Sequence, residues 1–313
     1  SAPPRTRTDS STLDCGYCPL RGGGGSQSRA LSSERISTEI VIVKTTGDQD
    51  LTRSFHELGP AGVFAVELRV ALLEDRVDIA VHSAKDLPGL KPDGLEIVAC
   101  PERVSANDRL LTTPEHFDEA ATLLPIKPGV RLGTAAARRV ALCQEARPDL
   151  SIEVLRGNVP TRIAKLRKGE HDAILLASAG LDRLAAASER GECAAPDLKG
   201  LIVRDLNPED FTPAPGQGAI AIEAREGCPI GALVKPLNDE HASRCLHAER
   251  EALRRVDAGC HTPFGAWCRS LDAGLIMSAV LEVDGSLRRA SSRGEDPEIL
   301  AALVTESLLR GDA

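Results

Sequence analysis

The order of apolar and polar positions divides the chain into a short segment without pattern and a long patterned one. Residues 1–37 show no periodicity and are rich in Ser, Arg, Pro and Gly, with a run of glycines at 22–25, so they are expected to be poorly ordered or divergent. Strand character begins at residues 39–44 (EIVIVK), and residues 62–74 carry apolar positions at helical spacing, with Phe64, Leu68 and Leu72 on one face. Residues 77–81 and 95–100 read as short strands. A regular alternation follows: strand 130–132, helix 134–146 stopped by Pro148, strand 151–155, helix 159–168, strand 173–177 and a helix from Ala179. This βαβαβ order predicts a parallel α/β sheet. A loop containing Pro208, Pro213 and Pro215 leads to a strand at 219–224. The last stretch reads as a helix at 240–256, a Gly-rich loop, and strands 275–283 and 286–290 joined by Asp284-Gly285, a strong hairpin signal, then a helix at 297–309. The pattern predicts two α/β domains, 38–103 with 218–236 and 104–217, and a smaller α+β domain at 237–313.

Composition narrows the classes. The chain has 313 residues, 42% of them hydrophobic and 27% charged, with a formal net charge of −8. That balance excludes a generally basic nucleic-acid binder and leaves room for a local basic cleft. Five Phe, one Trp and one Tyr are too few for an aromatic platform on single strands. No apolar run approaches the ~20 residues of a membrane span, so neither a nucleic-acid nor a membrane partner is expected. Nine cysteines in so long a chain fit a reducing, cytoplasmic setting better than a disulfide framework. Cys15 and Cys18 have CxxC spacing without a second pair, and His241, Cys245 and His247 read as helix-surface residues, so no metal site is expected. Residues 1–37 lack the apolar core of a secretory signal. As the remnant of a transit peptide they would instead place the protein in an organelle matrix.

Basic residues recur where strands end and helices begin: Lys85 after strand 77–81, Arg138 and Arg139 after Gly133-Thr134, Arg156 before Gly157-Asn158, then Arg162 and Arg183. In a parallel sheet these ends open onto one crevice, where helix amino termini add N–H donors and partial positive charge. Each arginine alone reads as a solvated surface residue. Together they predict a crevice for carboxylates, which Arg binds as a planar fork. Asp86 beside Lys85 is suited to holding a developing positive charge or relaying a proton, although taken without its surroundings the pair reads better as a turn salt bridge. Cys260, after Gly259 in a loop, is open to reading as an attachment point or as a bystander.

The chain resembles the porphobilinogen deaminase (hydroxymethylbilane synthase) family. The motifs that carry the resemblance run from about Thr45 onward: 66–74 (VELRVALLE), 78–88 (DIAVHSAKDLP), 133–139 (GTAAARR), 155–162 (LRGNVPTR), 179–184 (AGLDRL), 214–219 (APGQGA), 248–251 (AERE) and 259–263 (GCHTP). The resemblance implies two periplasmic-binding-protein-like domains with a hinged cleft, and a small α+β C-terminal domain. It implies a covalent dipyrromethane cofactor, held as a thioether on Cys260. Onto this primer four porphobilinogen units are joined head to tail with loss of ammonia, and hydroxymethylbilane is released by hydrolysis. Asp86 matches the catalytic aspartate that stabilises a cationic azafulvene-like intermediate. Ser83, Lys85, Arg138, Arg139, Arg156, Arg162, Arg183 and Gln217 match cofactor- and substrate-binding positions, and Phe64 an apolar residue near the cofactor. A monomer is implied.

The chain also departs from the family. Its Thr-Arg-x-Ser-x-Leu-Ala turn should fall near residues 22–31, where no arginine stands in register. Ala61 and Ala65 replace lysines, and Ala135 and Ala136 replace serines. The alternative reading is accordingly a weakened or inactive homologue that binds polycarboxylates in the same cleft.

Overall fold

The computed structural model describes residues 12–17, 37–43, 65–258 and 262–310, with residues 12–17 and 37 described by their backbone alone. Three sheets organise these residues. The first contains β1 (Thr12–Tyr17), β2 (Ser37–Ile42), β3 (Ile79–Ser83), β4 (Leu95–Ala99) and β10 (Ile220–Arg225), in the order β2-β1-β3-β10-β4. Helix α1 (Val66–Leu73) covers it by packing Leu68, Ala71 and Leu72 against Val77, Ala80 and Leu95. The pattern predicts no element before residue 38, and β1 corrects that expectation at its six positions. TLDCGY alternates Leu13, Cys15 and Tyr17 with Thr12, Asp14 and Gly16, a period-2 run too short to stand out in the Ser-, Arg- and Gly-rich segment around it. Its strand is set by parallel pairing with β2 on one side and β3 on the other, which satisfies the backbone groups of all three.

The second sheet contains β5 (Asp108–Thr112), β6 (Arg131–Gly133), β7 (Ser151–Glu153), β8 (Ala173–Ala177) and β9 (Ile202–Asp205), in the order β7-β6-β8-β5-β9. As the alternation predicts, β6, β7 and β8 are parallel and each is followed by a helix: α2 (Ala137–Ala146), α3 (Val159–Arg167) and α4 (Ser178–Glu189). Both sheets share one plan. Reading across each, the order is second, first, third, an inserted antiparallel strand, then last. The inserted strands are β10 and β5. The chain leaves the first sheet after β4 and crosses at residues 100–107 into β5, then returns at 206–219 into β10. The two sheets thus form two α/β lobes of like topology, joined by two crossovers.

Helix α5 (Ile230–Val234) closes the first lobe, and α6 (Glu240–Arg255) leads to the third sheet. There β11 (Phe264–Leu271), β12 (Gly274–Val283) and β13 (Ser286–Gly294) form an antiparallel meander, followed by α7 (Pro297–Arg310). Asp284 and Gly285 both have positive φ, 52° and 76°, as a tight hairpin turn of this twist requires. β11 occupies a stretch the pattern assigns to a loop. Cys245 is another correction: it is buried, because α6 packs against both the sheet and α7, with Ala248, Ala252, Met277, Leu300 and Val304 in the same core. Among the described residues no helix is long and apolar enough to cross a membrane.

Candidate functional site

Strand β3 is buried over Ile79–His82, and at its carboxyl end the chain makes one 3-10 turn, Ala84–Asp86. Ala84 and Leu87 are buried and anchor the turn, whereas Ser83, Lys85 and Asp86 between and beside them are half-buried. A hydrophobic strand thus carries a cation and a carboxylate to a partly screened surface, where charge interacts more strongly than in bulk water. The Ala84 amide donates to the Ala219 carbonyl at 3.1 Å, which fastens the turn to the second crossover.

In the second lobe the predicted basic residues separate into two groups. Arg138 and Arg139, at the start of α2, turn inward onto Asp108 of β5. Arg138 Nη2 donates to Asp108 Oδ2 at 2.7 Å, and Arg139 Nη2 and Nε donate to Oδ1 at 2.6 and 3.1 Å. Arg138 also donates to the Thr212 carbonyl and Arg139 to the Leu175 carbonyl. Cations at a helix amino terminus oppose the helix dipole, and the buried carboxylate compensates them. Burial alone would raise the Asp108 pKa, but Arg138 and Arg139 outweigh it and hold the carboxyl well below the usual range. Arg156 and Arg162 gather instead around the turn before α3. There Asn158 caps the helix by accepting from the Thr161 amide at 2.9 Å, and Arg162 Nε donates to the Gly157 carbonyl at 2.7 Å.

The two crossovers meet beside the first of these groups. Gln217 is buried, and its Nε2 donates to the Ala106 carbonyl at 2.6 Å and to Asp108 Oδ1 at 2.9 Å. Gly218 has φ +86°, and a Cβ there would lie 2.6 Å from the Val104 carbonyl oxygen, so only glycine lets the crossovers approach so closely. Arg183 of α4 donates to the Gly218 carbonyl at 2.9 Å, and burial pushes its pKa down. From the third domain, the fully buried Glu249 of α6 accepts from Arg103 at 2.6 and 3.1 Å and from the amides of Gly216 at 2.6 Å and Cys268 at 2.7 Å. One carboxylate therefore ties both crossovers to the third sheet.

Two family models match this chain in order: "Porphobilinogen deaminase, dipyromethane cofactor binding domain" over residues 26–229, and "Porphobilinogen deaminase, C-terminal domain" over residues 243–310. The chain belongs to the porphobilinogen deaminase family. It is 38% identical to the porphobilinogen deaminase of Roseiflexus sp. (strain RS-1) over 278 residues, which is 88% of this chain and 86% of that one. It is 39% identical to that of Phenylobacterium zucineum over 281 residues, or 87% and 82%. Among solved structures, it is similar to an ancestral cationic amino acid solute binding protein at 16% identity and a TM-score of 0.44, over 72% of this chain and 88% of that one.

The residues present fit the family's cofactor. Two buried donors of the second lobe, Thr134 Oγ1 and Arg138 Nε, have no hydrogen-bond partner. Both stand at the start of α2, whose N-cap, Ala136, makes no side-chain bond. Unpaired donors beside a helix amino terminus suit carboxylate substituents such as the acetates and propionates of a dipyrromethane. The porphobilinogen deaminase motifs thus converge on the crossovers: Lys85 and Asp86 through Ala84, Arg183 through Gly218, and Arg138, Arg139 and Gln217 through Asp108. Arg156 and Arg162 form a separate cluster. Phe64, Ala61 and Cys260 lie outside the described residues. Cys100 and Cys143 are buried thiols, with pKa values that burial pushes up to about 12, so neither supplies a ready thiolate. Sequence reasoning missed Asp108, Arg103 and the role of Glu249, whose partners are remote in the chain. The signal available was the presence of arginines in excess of nearby carboxylates.

Proposed function

We propose that this chain condenses four porphobilinogen units, with loss of ammonia at each joining, into the linear tetrapyrrole hydroxymethylbilane on a dipyrromethane held by Cys260. The observation that carries the reading is the junction just described, where the Ala84–Asp86 turn and Arg183 both bond to residues 218–219 between the lobes. When bound, the dipyrromethane supplies the terminal pyrrole carbon at which the chain is extended. Cys260 would hold it by its sulfur, with Thr134 and Arg138 receiving its carboxylates. Asp86 offsets the positive charge that develops on the substrate pyrrole as ammonia departs, a role that a carboxylate fixed in a partly desolvated turn performs better than one in water. Ser83, Lys85, Arg156, Arg162 and Arg183 orient the substrate carboxylates. The Arg138–Arg139–Asp108 cluster holds two cations against one anion, so it adds a net positive field that draws polycarboxylates in. Gln217 and Phe64 shape the surroundings of the cofactor. The protein works as a monomer in the cytoplasm, without a nucleic-acid partner.

The test is the intact mass of the purified protein followed by peptide mapping. An adduct of two pyrrole units on the peptide containing Gly259-Cys260-His261 is expected, and Cys260→Ser should fold and lack it. Asp86→Asn should keep the adduct while product formation falls by about 100-fold or more. An unmodified wild-type chain that forms no product from porphobilinogen would refute the reading.

A further inference from the structure

We propose that Arg250 and Gly89 dock the segment carrying Asp86 onto helix α6 of the third domain, with Arg250 acting as a positioning residue for the reaction. The proposal rests on the functional reading above, and two independent contacts support it. Arg250 Nη2 donates to the carbonyl of Pro88, two residues beyond Asp86, at 2.8 Å. At Gly89, a Cβ would stand 3.1 Å from the backbone nitrogen of Arg254 and 3.3 Å from its Cα and from Leu253 Cγ. Residues 250 and 254 follow one another by a helical turn on the same face. The side chain of one and the backbone beside the other therefore grip consecutive residues of the Asp86 segment.

The grip is made by an expensive residue. Arg250 Nη1 is buried without a hydrogen-bond partner. Burial, with Arg69 adding to it, pushes the Arg250 pKa down to about 10 against the opposing pull of Glu223. Glu223 is itself engaged, accepting from Arg69 Nε at 3.0 Å and Nη2 at 2.9 Å, with His82 Nε2 at 3.4 Å. A guanidinium that makes one carbonyl bond, leaves a nitrogen unpaired and sits near another arginine is poorly explained by stability alone, since an apolar side chain would fill such a site at lower cost. Its contact explains it: α6 carries Arg250 near its carboxyl end and fixes where the Asp86 turn stands against the third domain. Misplacing a catalytic group by about 1 Å costs on the order of 100-fold in rate, so a grip of this kind acts on turnover more than on substrate affinity.

The experiment compares Arg250→Met, Arg250→Lys, Gly89→Ala and Val304→Ala in the full chain. Each variant is examined by intact mass, thermal melting, and kcat and KM with porphobilinogen. Arg250→Met and Gly89→Ala should carry the two-pyrrole adduct and melt cooperatively. Their kcat should fall about 10–100-fold with KM held within about twofold, and Arg250→Lys should recover part of the loss. Val304→Ala, in the core of the third domain, should lower the melting temperature and leave kcat unchanged. Near-normal kcat in both Arg250→Met and Gly89→Ala, or losses that follow melting temperature as in Val304→Ala, would overturn the docking role. If Arg250→Met does not fold, Gly89→Ala decides on the same terms. An inactive, adduct-free wild type would instead bring down the porphobilinogen reading, and this proposal with it.

Discussion

Replacing Asp108 by asparagine separates the structural work of the α2 arginines from any binding they do. The carboxylate is fully buried and receives four bonds, two of them at 2.6 and 2.7 Å from Arg139 and Arg138. Asparagine keeps the shape, but its NH₂ faces donors on whichever side it takes, and two guanidinium groups are left without a counter-charge. Removing one partner of a buried ion pair costs about 3–5 kcal/mol, out of a total stability of about 5–15 kcal/mol. Asp108→Asn should lower the urea midpoint by a corresponding amount at pH 7. The sign with pH follows from the depressed folded pKa. The stability Asp108 contributes is fully present above the ordinary carboxyl pKa of about 3.9 and is lost as pH falls below it. The gap between wild type and variant should be flat from about pH 8 to 5 and should shrink on further acidification. A gap under about 1 kcal/mol at pH 7, or one indifferent to acid, would refute the assignment. Arg139→Leu, which deletes three donors, is expected to lose stability together with cofactor assembly.

Glu223 offers a second titration. Burial alone would raise its pKa, but the proximity of His82 and the bonds from Arg69 bring it from 4.5 to about 2. It therefore supplies about 3 kcal/mol that is present above pH 4.5 and lost as pH falls towards 2. Urea unfolding of Glu223→Gln at pH 7 and pH 3 should show a difference from wild type that narrows in acid, and an equal difference at both would contradict it. Gly218→Ala, with its Cβ 2.6 Å from one carbonyl oxygen and 2.7 Å from the next, should destabilise by more than about 1 kcal/mol. An unchanged melting temperature would show that the crossovers can part.

The legible parts of the fold were those whose signal is local. The βαβαβ run from β6 to α4 declared itself through strand and helix periods of ordinary length, and the Asp284-Gly285 hairpin through turn chemistry. β5 and β9 did not. DRLLT and IVRD are short, and they become strands because β8 offers β5 a ladder and β5 offers one to β9. β11 was masked by Gly265 and Arg269, although Phe264, Ala266 and Cys268 do alternate towards the core. The spacing of Ala242, Cys245, Leu246, Ala248 and Ala252 on α6 was enough to foretell that Cys245 is buried. In the candidate site, the strand-end arginines and the Lys85-Asp86 pair could be listed from sequence, but their grouping could not. Arg138 and Asp108 stand 30 residues apart, and Arg103 and Glu249 146 apart. Only the crossovers bring them together.

The exchange of strands between the lobes has a consequence for synthesis. The second lobe runs without interruption from β5 to β9, so its sheet can close as soon as its own residues have left the ribosome. The first lobe cannot, because β10 belongs between β3 and β4 but is made roughly 120 residues after β4. At about 5–20 residues per second the gap stands open for roughly 6–24 s, with the edges of β3 and β4 available to any passing strand. A chain cut short between β4 and β10 would retain every residue of the Asp86 turn and still lack the strand that holds the turn in place.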